Sequence, residues 1–273
     1  YPLRRQRTSL LYGAMIMTKK IRIKDIENII KNMEIDEALR FLDESSKQSN
    51  LRLDRLILKY QKLKAARDEE IERFSKMCSY ENMLYDKGIK LIAGVDEAGR
   101  GPLAGPVVAA AVILPKGVFI EKLNDSKKLS SKQRDILFDI IREKAVCYGI
   151  GIVDQRCIDE INILNATKRA MDIAINKLNP QPQTILLDAV ELNNPKISQM
   201  SITKGDQKSI SIAAASILAK VTRDRILIEM DSMYPQYGFS KHKGYGTAEH
   251  IAAIKKYGIC PIHRVSYTKN FTA

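Results

Sequence analysis

Residues 95–106 form the stretch VDEAGRGPLAGP, which determines the local fold expected around them. An apolar run at residues 91–95 ends in two adjacent carboxylates, Asp96 and Glu97. A glycine-rich turn with one arginine follows, and a second apolar run covers residues 107–114. Two apolar runs joined by such a turn predict a β-hairpin with acids at its tip, beside backbone that can approach a ligand closely.

The residue types in this turn indicate a cation and a phosphate as ligands. Carboxylate oxygens are the donors that Mg²⁺ and Mn²⁺ prefer, and an arginine beside bare backbone amides is suited to a phosphate. The alternative is an acidic turn that is merely solvated. The flanking apolar runs, the glycines and the arginine argue against that alternative.

Bulk composition favours a polyanionic partner and argues against a disulfide-rich protein, a zinc protein and a membrane protein. The formal net charge of +13 over 273 residues favours a polyanion, although a basic surface alone gives the same balance. Four cysteines without C-x-x-C spacing indicate reduced thiols rather than disulfides or a zinc site. No apolar run approaches the ~20 residues of a membrane helix, and the first residues lack a signal-peptide core. We therefore predict a cytoplasmic protein without a membrane partner.

The N-terminal part of the chain differs in character from the rest. Residues 1–17 are basic and predict a disordered tail, whereas residues 18–88 carry apolar positions at helical spacing and predict a small all-helical module. This module is either an accessory contact for nucleic acid or protein, or a solvated helical face; the cations that support the first alternative are Lys59, Lys62, Lys64 and Arg67.

Residues 89–273 alternate between strand and helix patterns and predict an α/β domain. Strands are expected at about 91–96, 107–114, 146–153, 184–188 and 200–203, with helices at about 130–144, 158–178, 209–233 and 247–257. Strands that alternate with helices of this length indicate a mixed sheet covered by helices.

Acidic residues recur at the ends of the predicted strands. Asp96 and Asp188 each end an apolar strand, so both carboxylates lie at one edge of the sheet if the strands are neighbours. Glu97 would point to the opposite face if its strand continued, so we expect the strand to end there and Glu97 to swing to the same side. Asp206 precedes the helix at 209–233 and can approach from there. Crowded carboxylates raise each other's pKa unless a divalent cation neutralises them.

Each acid also has a structural alternative when it is taken singly. Asp188 could close a turn and Asp206 could cap the following helix. Asp224 lies in a charged helical stretch and is interpreted as an ion-pair partner. Ser211 and Ser216 lack a histidine neighbour in sequence and are interpreted as helix-packing residues.

Further motifs in a fixed order make the chain resemble a known family. After the motif at 96–102 come the strand ending in Asp188, a Lys-Gly-Asp at 204–206 before a helix rich in small residues, a Lys-Gly-Tyr-Gly-Thr at 243–247, and a Pro-Ile-His-Arg at 261–264. Together they span about residues 90–271 and resemble type 2 ribonuclease H (bacterial ribonuclease HII). The segment Gly258–Cys260 departs from the Gly-Pro-Ser or Gly-Pro-Thr of many members.

The resemblance implies a ribonuclease H-like fold with a mixed five-stranded sheet, and an endoribonuclease. Its substrates would be RNA–DNA hybrids and DNA duplexes with embedded ribonucleotides, cut 5′ of the ribonucleotide to leave 3′-hydroxyl and 5′-phosphate ends, as in ribonucleotide excision repair and DNA replication. It implies a two-metal mechanism with Mn²⁺ or Mg²⁺. The metal ligands implied are Asp96, Glu97 and Asp188, with Asp206 completing the catalytic acids.

The resemblance also implies how the substrate is recognised. The triplet Gly99, Arg100 and Gly101 would contact the ribose 2′-hydroxyl and a phosphate, and Tyr245 would pack on the next sugar. Lys127 and Lys128 are candidate phosphate contacts, although an exposed lysine is more often simply surface. His263 is interpreted as structural.

Three alternatives stay open at this point. A type 3 enzyme would prefer long hybrids, but it usually has another sequence at residues 99–101. A non-catalytic hybrid-binding protein would be favoured by the loss of an acid, and the acids are all present. The N-terminal helices could dock a protein partner. We expect a monomer, because no convincing heptad seam occurs.

Overall fold

The computed structural model describes residues 22–49, 51–193 and 197–271, so the tail predicted at residues 1–17 lies outside the described residues. The chain divides into two compact units between Arg73 and Phe74. The domain boundary that the sequence predicts at residue 88 stays a prediction. No helix in the described ranges has the length and apolar character needed to cross a membrane.

The first unit is helical, as predicted. Its helices are α1 (Ile23–Ile30), α2 (Ile35–Gln48) and α3 (Asp54–Met77), which runs past the division. The apolar residues at helical spacing form a core because they share one face of each helix; the buried members are Ile26, Ile30, Ala38, Leu42, Leu53 and Leu56.

The basic residues of α3 divide into two groups. Lys64 pairs with Asp36, and Arg67 Nη1 lies 3.4 Å from Glu34 Oε2, so these two cations form surface ion pairs. Such solvent-exposed pairs contribute little to stability. Lys59 and Lys62 are exposed, and the choice between an accessory contact and a solvated face stays open for them.

The second unit contains the predicted mixed sheet. Its strands are β1 (Ile92–Ala98), β2 (Val107–Ile113), β3 (Cys147–Val153), β4 (Thr184–Asp188) and β5 (Ser198–Ile202). The strand order is β3-β2-β1-β4-β5. The β1–β2 and β2–β3 pairs are antiparallel, whereas the β1–β4 and β4–β5 pairs are parallel. The number of strands and their approximate positions are therefore confirmed, although β1 continues past the predicted end at residue 96.

Helices of this unit cover both faces of the sheet. The helices in this unit are α4 (Ser79–Asp86), α5 (Ser131–Lys144), α6 (Gln155–Asn176), α7 (Ile210–Met233), α8 (Phe239–His242), α9 (Ala248–Tyr257) and α10 (Val265–Thr268), of which α5, α6 and α7 pack on the two faces. Alternate residues of β2 enter two different cores, one shared with α6 and the other with α5 and α7. A strand buried on both faces is apolar throughout, which explains the unbroken run at residues 107–113.

Helix α7 lies directly against β1, and Gly94 makes this possible. A Cβ atom at Gly94 would lie 2.0 Å from the backbone carbonyl carbon of Ser211, so only glycine fits. Ser209 caps α7 by accepting a hydrogen bond from the amide of Ile212 at 3.2 Å. The buried Glu81 of α4 accepts a hydrogen bond from the Ser209 hydroxyl at 2.5 Å. These contacts fix the end of α7 beside the acidic end of β1.

Candidate active site

Asp96 and Asp188 lie side by side at one edge of the sheet, as predicted. The parallel pairing of β1 with β4 brings Val95 opposite Leu187, and the two acids are the next residues of each strand. Asp96 is 5% exposed. Asp188 is half-buried, and its Oδ1 accepts a hydrogen bond from the amide of Gly205 at 2.8 Å.

Glu97 lies within β1, so the expectation that the strand ends before it is wrong. Pairing with the antiparallel strand β2 continues, with Glu97 opposite Ala109. Strand β4 ends at Asp188, so β1 extends beyond it on that side. Arg100 Nη1 lies 3.4 Å from Glu97 Oε1, while Glu97 Oε2 is buried and lacks a hydrogen-bond partner among the described residues.

These carboxyl groups act on one another electrostatically. Burial raises the pKa of Asp96 well above its usual range, and the charges of Glu97 and Asp188 raise it further. Burial also raises the pKa of Glu97; Arg100 opposes this effect and Asp188 reinforces it. The Ser216 side chain, whose hydroxyl lies 2.9 Å from that of Ser126, opposes the increase in the pKa of Asp96. Ser216 therefore contacts the acidic group in addition to packing within α7.

Asp206 belongs to the same group and is not a helix cap, because Ser209 caps α7. It lies in a 3-10 turn and is 2% exposed. Burial, and then the charge of Asp125, raise the pKa of Asp206. Lys127 Nζ lies 3.5 Å from Asp206 Oδ2 and opposes this increase. Lys127 is thus placed among the acids.

Asp125 is a member of this group that sequence reasoning missed. It is 4% exposed, and its Oδ1 accepts a hydrogen bond from the amide of Lys127 at 2.9 Å. Its Oδ2 accepts another from Gln207 Nε2 at 3.3 Å, and its negative charge raises the pKa of Asp206. In the sequence, Asp125 has the appearance of an ordinary turn cap, and it does cap the turn Ser126–Lys128. Its second role as a neighbour of Asp206 has no local signal.

The glycine loop follows the acids immediately. Gly99 is buried with φ +99°, a conformation that favours glycine. Arg100 and Gly101 are exposed, and nothing lies within 4 Å of a Cβ atom built on Gly101. Lys128 is exposed in the turn that contains Lys127. The structure therefore places the predicted substrate-binding triplet at the open end of β1, next to the acids.

Tyr245 lies on a separate loop and is 44% exposed. Its ring centroid is 5.8 Å from Lys220 Nζ and 5.9 Å from Arg223 Cζ, which are cation–π distances. The structure thus gives Tyr245 an accessible ring beside two cations. Asp224 forms the predicted ion pair, since Lys220 Nζ lies 2.7 Å from its Oδ1.

A histidine network fixes the backbone of the Tyr245 loop. His250 Nδ1 lies 2.9 Å from the carbonyl oxygen of Tyr245, and His250 Nε2 lies 3.0 Å from His263 Nε2. The amide of Cys260 donates to His263 Nδ1 at 2.9 Å. His263 therefore donates through Nε2 to His250, which donates through Nδ1 to Tyr245. Burial lowers the pKa of each of these two histidines to about 4, so both are neutral and structural at pH 7.

The acids provide the donor set of a hard cation, without a preformed metal geometry. Among the residues that the structure describes, no three or more His, Cys, Asp and Glu side chains form a group that could hold a metal ion. Asp96 Oδ1 accepts a hydrogen bond from its neighbour's amide, and Glu97 pairs with Arg100. The buried Glu97 Oε2 without a partner, and carboxylates that raise each other's pKa, are what a divalent cation would satisfy. The residues fit the cation once their side chains turn toward it.

Comparison with known proteins agrees with this geometry. The family model for ribonuclease HII matches residues 93–270. The ribonuclease HII of Acetivibrio thermocellus is 61% identical over 249 residues, which cover 91% of this chain and 97% of that relative. That of Clostridioides difficile is 52% identical over 249 residues, with 91% and 97% covered. The chain belongs to the ribonuclease HII family. Ribonuclease HII enzymes are endonucleases that hydrolyse RNA in RNA–DNA hybrids with divalent cations, and this activity applies to the chain.

A solved structure extends the ribonuclease HII assignment to the fold. The ribonuclease H2 of Pyrococcus horikoshii OT3 superposes with a TM-score of 0.56 at 28% identity, covering 66% of this chain and 96% of that one. The predicted ribonuclease H-like fold is therefore confirmed. Membership of the ribonuclease HII family also decides against the type 3 and non-catalytic alternatives.

Proposed function

We propose that this chain cuts DNA duplexes on the 5′ side of single embedded ribonucleotides, in addition to hydrolysing RNA–DNA hybrids. The products are a 3′-hydroxyl and a 5′-phosphate. The observation that carries this proposal is the position of the loop Gly99–Gly101, which continues directly from Asp96 and Glu97. A group that reads the 2′-hydroxyl thereby lies beside the groups that act on the adjacent phosphodiester.

In this proposal Asp96, Glu97 and Asp188 bind divalent cations, two Mn²⁺ or Mg²⁺ ions, and Asp206 completes the acidic set. Bound cations of this kind activate water and stabilise the leaving oxygen. The chain holds the carboxylates at one edge of the paired strands β1 and β4, so little rearrangement of the backbone is needed. Lys127 lies beside Asp206 and can balance charge or contact a phosphate.

The substrate-reading residues are proposed to act from two loops. The loop Gly99–Gly101, through its exposed residues Arg100 and Gly101, contacts the ribose and its phosphate, and the exposed ring of Tyr245 packs on the next sugar. Lys127 and Lys128 contact the phosphate backbone, to which the net charge of +13 attracts the protein.

We further propose that the protein is a monomer and that it acts in the cytoplasm during ribonucleotide excision repair and DNA replication. Its free cysteines agree with this reducing compartment.

The decisive experiment compares a DNA duplex with one ribonucleotide, a full RNA–DNA hybrid and an all-DNA duplex. Each is incubated with Mn²⁺, Mg²⁺ or a chelator, and the ends of the products are mapped. We expect cation-dependent cleavage 5′ of the lone ribonucleotide and of the hybrid, with no cleavage of the DNA duplex. Cleavage of the hybrid alone would overturn the single-ribonucleotide activity.

Substitution of Tyr245 tests the proposed role of its ring. Tyr245→Ala should lower kcat/KM at a lone ribonucleotide by about tenfold, because stacking on an aromatic ring contributes ~1–3 kcal/mol. Cleavage of a long hybrid should fall less, since a hybrid offers many alternative registers. Tyr257→Ala is the matched control, because Tyr257 is 50% exposed and lies outside the proposed site. Equal losses on both substrates would remove Tyr245 from the junction.

A further inference from the structure

Two arginines lie buried beneath the loop at residues 99–106. Arg223 of α7 and Arg264 have no exposed surface. Neither forms an ion pair with a carboxylate among the described residues, although both are positively charged. Burial of a charge is costly unless it is paired and hydrogen-bonded, so this arrangement needs an explanation beyond packing.

Arg264 binds the carbonyl oxygens of the glycine loop. Its Nη2 donates to Gly99 at 2.5 Å, its Nη1 donates to Arg100 at 2.9 Å, and its Nε donates to Gly105 at 3.0 Å. The hydroxyl of Tyr267 donates to the same Arg100 carbonyl at 3.2 Å. One planar guanidinium thus fixes both ends of the loop, which a lysine ammonium cannot do with the same geometry.

Arg223 joins this loop to the loop that carries Tyr245. Its Nη2 donates to the carbonyl of Ala104 and its Nε to that of Pro106, both at 3.0 Å. Its Nη1 donates to the carbonyl of Lys243 at 3.0 Å, and its Cζ lies 5.9 Å from the Tyr245 ring centroid. A single buried side chain therefore holds both candidate substrate-reading loops.

These contacts affect both the charge below the loop and the hydrogen-bonding groups at its surface. The inward carbonyls satisfy the guanidinium donors without neutralising their charge, so two positive charges remain below the loop. The amides of Arg100 and Gly101 have no intramolecular acceptor in the described parts of the chain. Free amides above buried positive charge favour an anionic ligand.

We propose that Arg223 and Arg264 are positioning residues for recognition of the RNA–DNA junction. They hold the Gly99–Gly101 and Tyr245 loops as one rigid unit, and their charge strengthens binding of the phosphate beside the ribose. This inference rests on the proposed function of the two loops. Discrimination between ribose and deoxyribose then depends on the buried Arg223 and Arg264 as well as on the residues that touch the substrate.

The test uses the full chain with Arg223→Lys or Arg264→Lys, which keep the charge and lose the planar fork. We expect KM for a duplex with one ribonucleotide to rise about tenfold, because charged hydrogen bonds contribute ~1.5–3 kcal/mol each. The inhibition constant of an all-DNA duplex should stay within about twofold, because nonspecific binding depends on surface charge. Arg225→Lys is the control, since Arg225 lies on the same helix in a surface pair with Asp135 at 3.0 Å. Equal changes in both constants would show a merely structural role and overturn the proposal.

A double-mutant cycle tests the link to Tyr245. If Arg223 acts by holding that loop, Tyr245→Ala should have little further effect on KM in an Arg223→Lys background. If the two substitutions instead change KM by factors that multiply, the link is contradicted.

Tyr267→Phe serves as a mild variant if the lysine variants unfold. It removes a hydrogen bond to the loop and should raise the same KM a few-fold; an unchanged KM would overturn the proposal. Failure of the wild-type chain to cut at a lone ribonucleotide would instead overturn the proposed function.

Discussion

Replacement of Asp96 by asparagine should lower kcat on both RNA-containing substrates by on the order of 10³. Asparagine has nearly the same shape, and its side-chain oxygen can still accept the hydrogen bond from the Glu97 amide. The change removes the negative charge from the buried group that includes Asp188, and with it a proposed cation ligand. Binding of the duplex should be largely retained, because the basic surface is unchanged.

Stability measurements separate this loss from misfolding. Because burial raises the pKa of Asp96 in the folded chain, its protonated carboxyl group favours the fold at low pH, and this contribution is lost as pH rises from the unfolded-state pKa through the folded-state pKa. Asp96→Asn should therefore be at least as stable as the wild-type chain at pH 7. Asp224→Asn is the matched control on α7, because Asp224 pairs with Lys220 outside the acidic group. Full activity of Asp96→Asn would remove Asp96 from the site.

The sequence was sufficient to predict the sheet and most of the acidic group. Apolar runs bounded by glycine turns fix the strands, and two strands that end in Asp96 and Asp188 lead to one edge when they are neighbours. Only the structure shows that β1 and β4 are neighbours in the sheet. It also shows why Glu97 stays in β1: its pairing partner is a residue of β2, and pairing between strands is not visible in a local pattern.

The role of Asp125 beside Asp206 and the burial of Arg223 and Arg264 could not be predicted, because the sequence around these residues has a commoner interpretation. Asp125 before Ser126 has the pattern of a turn cap, which it also is, so its contact with Asp206 depends on the folding of distant segments. Arg223 and Arg264 are of a residue type that is usually exposed. They are buried because several backbone carbonyl groups of the glycine-rich loop point inward and accept their hydrogen bonds. The direction of loop carbonyls leaves no periodic pattern in the sequence.

Substitution of Gly94 by alanine should destabilise the second unit by about 3 kcal/mol, at the upper end for an overpacked core. The added Cβ would lie 2.0 Å from the carbonyl carbon of Ser211, and this neighbour is backbone that cannot rotate away. Strand β1 is hydrogen-bonded to β2 and β4 on its two sides, so it cannot shift alone. The free energy of unfolding in urea measures the effect. Gly101→Ala is the control, because its Cβ would meet nothing within 4 Å.

The same substitution connects packing with chemistry. Any separation of β1 from α7 would move Asp96 away from Ser216, which lies on that helix and lowers the pKa of Asp96. The folded fraction of Gly94→Ala should therefore also have a lower kcat, although the substitution touches no proposed ligand. Since domains are stable by only ~5–15 kcal/mol, a loss of about 3 kcal/mol is a large share of the total. Wild-type stability in Gly94→Ala would show that β1 and α7 are not in backbone contact, and the position of the acids beside the helix would have to be abandoned with it.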